Sequence, residues 1–260
     1  MTEEDFIRLK GRFLRYVRGY RMDPAGQKNI ALKRAHTLRV CRDAGLIARG
    51  EGASGADERL ARAAALLHDA GRFPQYARFQ TFNDGVSVNH GLLGAKTVVK
   101  AKLLEDASPG ERSLIIRAVK YHNAFSIPRL DKRSVFLLKV VRDADKLDIW
   151  RVFIEYFGQK KEDRPDAAGQ GLLEGGEISP AALRDVLGGR VVRFAGVKNL
   201  NDYKMLLLSW VFGLNFSTSF RMMRRRRLFE RLAGMLPRRR AAGEAVAHLE
   251  NFIRPKLKSS

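Results

Sequence analysis

The sequence predicts an all-α fold, because helix start signals recur along the chain while the alternation typical of a β-strand is scarce. Ser108-Pro109-Gly110-Glu111 forms a capping box with proline at the first helical position. Ser179-Pro180 repeats the start signal, and Asp57 can cap a helix that runs to Leu67. Only the segment 191–197 has the pattern of a short strand. Helices should therefore build nearly all of the molecule.

Apolar periodicity places the other helices in order along the chain. It predicts helices over about 27–48, 91–104 and 134–157, and one from about residue 202 into the basic C-terminal segment. Gly71 and Pro74 should end the helix that begins near Asp57, just beyond His68 and Asp69.

The stretch 158–180 is rich in Gly, Lys, Glu and Asp, which is the composition of an exposed linker or lid. The predicted organisation is therefore a core over 1–157, a linker or lid over 158–180, and a basic C-terminal helical region over 181–260 that packs on the core.

The composition favours a cytoplasmic globular protein. A chain of 260 residues with 45% hydrophobic residues can bury a core without covalent cross-links. Cys41 is the only cysteine, which excludes an intrachain disulfide and a zinc site built from cysteines. The acidic opening does not resemble a secretory signal. The most apolar stretch, 205–216, is shorter than the roughly 20 residues of a membrane-spanning helix.

Positive charge is concentrated at the two ends of the chain. The net charge is +21, from 49 basic and 28 acidic residues. Residues 8–42 carry 11 Lys or Arg against one acid, and residues 221–260 carry 12 against three. Arg224 to Arg227 are consecutive. This distribution indicates anionic partners, with nucleic acid or an acidic surface as candidates for the basic ends.

Four of the five histidines lie in contexts that suggest metal binding. They are His36, His68 followed by Asp69, His90 and His122, and a later acidic segment adds Asp145. Imidazole and carboxylate suit Mn, Fe, Ni, Co or Zn, and their spacing means that several helices must supply them. A single histidine is usually a core or surface residue. An imidazole and a carboxylate together at the end of an Ala- and Leu-rich helix would be costly to bury without a cation.

The order of these residues resembles the HD-domain superfamily of metal-dependent phosphohydrolases, over residues 27 to 150. The resemblance implies an HD-domain helical bundle with a C-terminal helical extension. The residues that match the ligands of the minimal motif are His36, His68, Asp69 and Asp145. Asp145 is preferred over Asp143 because Ala144-Asp145-Lys146-Leu147 resembles the closing motif of the superfamily.

His90 and His122 resemble the additional ligands of the two-metal branch, which includes cyclic-dinucleotide phosphodiesterases. His122 is followed by Asn-Ala-Phe-Ser-Ile-Pro, not by the His-Glu and Gly-Tyr-Pro signature of the cyclic di-GMP subgroup. The resemblance implies one or two divalent ions, which include Mg as a further possibility. It also implies that Asp69 bridges the two ions. Its implied activity is hydrolysis of a phosphomonoester or phosphodiester by metal-activated hydroxide, on a nucleotide or another small phosphorylated metabolite.

Further residues are candidates for substrate binding and for support of the ligands. Arg72, three residues after Asp69, can bind a phosphate oxygen and stabilise charge in the transition state. Lys146 is a weaker candidate for the same role. Asp84 can orient His90, although a role in its own turn is the simpler interpretation.

Two alternatives remain open at the level of sequence. The same ligand set resembles that of di-iron oxygenases. Alternatively, the basic ends bind nucleic acid or an acidic surface, and the metal site is structural.

Overall fold

The computed structural model describes residues 1–159 and 175–258, and these residues contain helices and no β-strand. The chain divides into two compact units, Met1–Asp148 and Ile149–Ser260. The predicted all-α fold is confirmed. The domain boundary expected over 158–180 stays a prediction, because residues 160–174 lie outside the described residues.

The first unit is built from six helices and the start of a seventh. They are α1 (Glu3–Arg18), α2 (Pro24–Gly50), α3 (Gly55–Leu67), α4 (Arg72–Phe79), α5 (His90–Lys100), α6 (Pro109–Tyr121) and α7 (Lys132–Gly158). Helix α3 packs against α1, α2 and α6. From Leu60 to Leu67 it is almost entirely buried, with alanines at positions 61, 63, 64 and 65 that let neighbouring helices approach closely. Its C-terminal end therefore lies in the interior of the unit.

Local capping explains where these helices begin. The capping box at Ser108 is present, with the Ser108 hydroxyl accepting from the backbone N–H of Glu111 and the Glu111 carboxylate accepting from the N–H of Ser108. The predicted cap of α3 is wrong by three residues. Ser54 is the cap and accepts from the N–H of Asp57, which lies in the first turn. There the Asp57 carboxylate interacts favourably with the positive end of the helix dipole.

The second unit is built from the end of α7 and from shorter helices. They are α8 (Pro180–Leu187), α9 (Leu200–Ser209), α10 (Ser217–Arg225), α11 (Leu228–Ala233) and α12 (Arg240–Lys258). The start signal at Ser179-Pro180 is confirmed, because the Ser179 hydroxyl accepts from the N–H of Ala182. No helix in the described residues is long and apolar enough to cross a membrane.

Two expectations for this unit are wrong. The single helix expected from residue 202 into the tail is broken after Ser209 by a 3-10 turn, Trp210–Gly213, and again at Arg227, which has a positive φ. The strand expected over 191–197 is not formed. Val192 is buried, its N–H donates to the Ser209 hydroxyl at 3.0 Å, and a 3-10 turn follows at Phe194–Gly196. The Ser209 hydroxyl thus accepts the hydrogen bond that a neighbouring strand would otherwise accept, and the described residues contain no such strand.

Candidate metal centre

A sharp turn at the end of α3 carries the His-Asp pair. His68 is the C-cap of α3, and Asp69 lies in the turn that leads to α4. A Cβ atom added to Gly71 in this turn would lie 2.3 Å from the carbonyl oxygen of His90 and 2.5 Å from the backbone nitrogen of Gly94. The glycine therefore permits backbone contact between the turn and the first turn of α5. This contact brings His90 to the His-Asp pair.

The structure brings all six predicted ligands together. His36 lies on α2, His68 and Asp69 at the end of α3, His90 on α5, His122 directly after α6, and Asp145 on α7. All are buried except Asp145, whose side chain is 19% exposed. Their ligand atoms form three overlapping groups in which the atoms lie within 4.8 Å of one another. Asp145 is the acid of α7 whose carboxylate lies within these groups, and Asp143 is not among them.

The two carboxylate oxygens of Asp69 face different histidines. Oδ2 lies 3.6 Å from Nε2 of both His36 and His68, whereas Oδ1 lies 3.5 Å from Nε2 of His90 and 3.8 Å from Nε2 of His122. Asp145 Oδ1 joins the first group, at 3.1 Å from His36 Nε2 and 3.6 Å from His68 Nε2. We call the first group site A and the second group site B. Asp69 contributes one oxygen to each.

The opposite ring nitrogen of each histidine is held by a hydrogen-bond acceptor. Nδ1 lies 2.7 Å from Asp148 Oδ2 in His36, 2.7 Å from the Ala65 carbonyl in His68, 2.6 Å from Asp84 Oδ2 in His90, and 2.7 Å from the Val119 carbonyl in His122. Carbonyl and carboxylate oxygens only accept, so Nδ1 carries the proton in every ring. In its neutral form each ring then presents the lone pair of Nε2 to the centre.

This arrangement fits a divalent metal. Nε2 of His36 and of His68 is buried without a hydrogen-bond partner among the described residues. Nε2 of His90 and Nε2 of His122 lie 2.9 Å apart, and two lone pairs at that distance repel unless a cation or a proton lies between them. Imidazole nitrogens with carboxylate oxygens suit Mn, Fe, Ni, Co and Zn. A bound cation would satisfy all of these atoms together.

Burial keeps the histidines of site B neutral. It lowers the pKa of His122 to about 3, with the neighbouring His90 and His68 adding to the effect. The pKa of His90 is also lowered, first by burial and then by the positive charge of Arg72. At neutral pH both rings are therefore free of a second proton that would compete with a metal.

The carboxylates of the centre are charged. Burial acts to raise the pKa of Asp69, but electrostatic interactions with Lys33, His68 and Arg72 outweigh burial and hold the pKa well below its ordinary value. The pKa of Asp145 is likewise held well below its ordinary value, because contacts with His36 and His68 outweigh burial. The centre thus offers two anionic groups to a cation.

Asp148 supports site A in a way that the sequence analysis missed. It lies one helical turn after Asp145 on α7 and accepts from His36 Nδ1. Arg39, one turn after His36 on α2, holds Asp148 through two hydrogen bonds of 2.6 and 2.9 Å. The signal in the sequence was the spacing of three residues from each ligand, which places both side chains on the ligand faces of their helices.

Asp84 supports site B from the segment between α4 and α5. Its Oδ2 accepts from His90 Nδ1, and its Oδ1 accepts from Arg72 at 2.8 Å. Asn123 also donates to Oδ2, at 3.1 Å. Asp84 starts a 3-10 turn as well, so it takes part in a turn and contacts His90.

Arg72 lies beside Asp69, with its Nε 3.5 Å from Asp69 Oδ1. One terminal nitrogen donates to Asp84, to Gln75 and to the carbonyl of Phe82. The Arg72 guanidinium therefore lies next to the candidate ligand Asp69, and it also holds Asp84, which supports site B.

Two lysines add positive charge near the ligands. Lys33 Nζ lies 3.0 Å from Asp69 Oδ2, and the sequence analysis did not count Lys33 among the site residues. It precedes His36 by three residues on α2, which was the available signal. Lys146 follows Asp145 on α7, and burial lowers its pKa to about 8.

The first unit thus gathers buried imidazoles and carboxylates from several helices into groups that could hold a metal ion. Residues 34–150 match the model of the HD domain, and the cluster of His and Asp side chains is compatible with the metal site of that domain. Members of that superfamily are generally metal-dependent phosphohydrolases, and HD domains bind divalent metals. No curated protein and no solved structure matches the chain.

Proposed function

We propose that this protein hydrolyses a phosphate ester, a nucleotide or another small phosphorylated metabolite, with two divalent transition-metal ions. The observation that carries the proposal is the position of Asp69, whose two carboxylate oxygens face two different pairs of imidazole nitrogens. A carboxylate that faces two nitrogen-rich groups could be shared by the two ions of a paired site, which is the kind of site that suits phosphoryl transfer to water.

The six candidate ligands divide between the two sites. Site A would hold one ion through His36, His68, Asp145 and Oδ2 of Asp69. Site B would hold the other through His90, His122 and Oδ1 of Asp69. When bound, such a pair supplies an activated water as nucleophile and neutralises charge on the phosphoryl oxygens.

The residues around the ligands hold the imidazoles in their working orientation. Asp148 and Asp84 accept from Nδ1 of His36 and His90, which fixes each ring and makes its Nε2 a better donor to a cation. Asp69 is the catalytic residue that links the two sites. Its low pKa keeps it anionic at neutral pH.

Basic side chains at the centre are suited to the substrate phosphate. Arg72 and Lys33 are 15% and 18% exposed and contact opposite oxygens of Asp69, so each can also meet an anion that reaches the ions. We assign Arg72 to binding of the phosphate and stabilisation of its developing charge. Lys33 is a second phosphate-binding candidate, and Lys146, next to Asp145, is a third. The net charge of +21 favours the approach of an anionic substrate.

A metal-reconstitution assay tests the proposal. The protein is stripped with a chelator, reloaded separately with Mn, Mg, Ni, Co, Fe or Zn, and assayed on a panel of phosphomonoesters and phosphodiesters. We expect that at least one metal restores hydrolysis of at least one ester class. Stoichiometric metal binding with every ester intact would contradict the proposal. Oxygen consumption by the iron-loaded protein, again with every ester intact, would favour the oxygenase alternative.

A further inference from the structure

The connection between α10 and α11 in the second unit presents a group of exposed arginines. Helix α10 ends at Arg225 and α11 begins at Leu228, so Arg226 and Arg227 connect the two helices. The large apolar side chains of both helices are buried. Arg225, Arg227 and Arg231 are exposed, and we call these three residues the arginine corner.

The charge of the arginine corner is not neutralised by the fold. Residues 175–258 carry 17 Lys or Arg and six Asp or Glu, and the acid beside the corner, Glu230, forms an ion pair with Arg224. Within the described residues, none of the three arginines of the corner has an ion-pair partner. Each of these three positive charges therefore faces solvent.

Arg227 occupies a position that local structure disfavours. Its φ of 52° is in the left-handed region, where helix ends commonly place glycine or asparagine, and where a residue with a Cβ atom costs about 1 kcal/mol or more. Arg227 is also the N-cap of α11, yet its side chain makes no capping hydrogen bond and brings positive charge to the positive end of the helix. Local stability does not account for an arginine here, so we attribute its presence to its charge.

The spacing of the corner suits a chain of phosphates. Arg227 and Arg231 are one helical turn apart, about 6 Å along the axis. Arg225 precedes Arg227 by two residues, at most about 7 Å. Phosphates of one nucleic-acid strand follow one another at about 3.4 Å of axial rise, so the corner can span three or four of them. We propose that the arginine corner binds the phosphodiester backbone of a nucleic acid, independently of its sequence.

Nucleic acid fits the corner better than a membrane surface does. A membrane-binding helix needs exposed apolar side chains beside its charges. In the described part of the second unit, the exposed large hydrophobic residues are Leu187 and Phe194, and neither lies on α10 or α11. Between Lys204 and Lys256 every basic residue other than His248 is arginine, whose planar guanidinium can form two parallel hydrogen bonds to a phosphate. This inference goes beyond the proposed hydrolase function and does not rest on it.

Fluorescence anisotropy of the full chain tests the inference. The probe is a fluorescein-labelled DNA duplex of mixed sequence, about 20 base pairs long, titrated at several salt concentrations. Neutralising three phosphates contributes a salt slope of about −2.7, so the triple variant Arg225→Gln, Arg227→Gln, Arg231→Gln should bind about 10- to 100-fold more weakly and lose about two to three units of slope. No binding of the duplex by the unaltered chain would overturn the inference.

A control variant with the same loss of charge distinguishes binding at the arginine corner from a general effect of net charge. Lys96→Gln, Lys100→Gln and Lys102→Gln remove three exposed lysines from the region of α5. This control should keep the affinity of the unaltered chain within about two- to threefold, as expected for charges outside the binding surface. Equal weakening by the two triple variants would refute a localised site. Binding to phosphatidylserine vesicles without binding to the duplex would refute nucleic acid as the partner. Circular dichroism confirms that both variants fold.

Discussion

At the scale of single residues, the metal centre depends on how Asp69 divides its contacts. Its two oxygens face two sets of nitrogens, so variants in each set should have separate consequences. His122→Ala should lower the bound metal from about two ions to about one by emptying site B, and Asp145→Ala should do the same by weakening site A. Metal content measured by mass spectrometry checks both. If the two variants keep the full complement, these side chains are not ligands.

The acids behind the histidines allow a matched comparison. Asp148→Asn removes the carboxylate that holds His36, and Asp84→Asn removes the one that holds His90. Loss of such support should weaken metal affinity about 10- to 100-fold. Competition with a chromogenic chelator should show weakening at site A for the first variant and at site B for the second. Weakening of the same site by both would contradict the division of ligands.

Protonation of the site B histidines gives a pH prediction. Because the pKa of His122 in the folded chain is about 3, the unfolded chain takes up a proton below about pH 6.5 that the folded chain does not. With the metal removed, stability should therefore fall as pH falls from about 6.5 to 5, by up to about 1.4 kcal/mol per pH unit for this residue. Chemical unfolding at each pH measures the slope. His122→Gln should make the fall of stability with pH shallower. An unchanged slope would show that His122 does not cause it.

The six candidate ligands were accessible from the sequence because histidine is rare in this chain and because His36, His68-Asp69 and Asp145 follow one another in a recognisable order. The contacts of Lys33 with Asp69 and of Asp148 with His36 were not. A helical spacing shows which side chains share a face, but only the packed structure shows which residues that face meets.

At the scale of helices, the centre depends on the close approach of the turn after α3 to the start of α5. Gly71→Ala would place a Cβ atom against backbone atoms of His90 and Gly94, and backbone cannot move aside as a flexible side chain can. We expect a loss of about 1 to 3 kcal/mol in the free energy of unfolding, together with reduced metal at site B.

A second glycine serves as the control for this prediction. A Cβ atom at Gly110, in the first turn of α6, meets no atom within 4 Å. Gly110→Ala should leave metal content unchanged and stability equal or slightly higher, by up to about 1 kcal/mol. Denaturant titration and metal analysis compare the two variants. Equal effects of both would show that the close contact at Gly71 is unimportant.

Two helix starts were predicted correctly from local signals, whereas the break in the helix expected from residue 202 was missed because its cause is tertiary. The caps at Ser108 and Ser179 act within four residues and are visible in the sequence. The break after Ser209 is different. The Ser209 hydroxyl donates to the carbonyl of Leu206 and accepts from the N–H of Val192, which is 17 residues away. The spacing of apolar residues within the helix cannot reveal this second contact, because Val192 lies outside the helix.

At the scale of the whole molecule, two groups of basic residues lie in different environments. The basic residues near Asp69 lie within Met1–Asp148 and contact buried acids, whereas the arginine corner lies within Ile149–Ser260 and faces solvent. The first set suits one small phosphate beside the ions, and the second suits a diffuse polyanion. Substitutions in the two sets should therefore affect different properties.

Arg72→Ala and the triple glutamine variant of the arginine corner test this separation. Loss of one charge-stabilising donor should make Arg72→Ala turn over a phosphate ester about 10- to 1000-fold more slowly, while duplex binding stays unchanged. The triple variant should keep turnover within a few-fold and lose duplex affinity. Because Arg72 also holds Asp84, metal content is measured in the same preparation, and slow turnover with full metal content assigns Arg72 to the substrate. If the triple variant lost turnover and Arg72→Ala did not, the arginine corner would belong to the hydrolytic site.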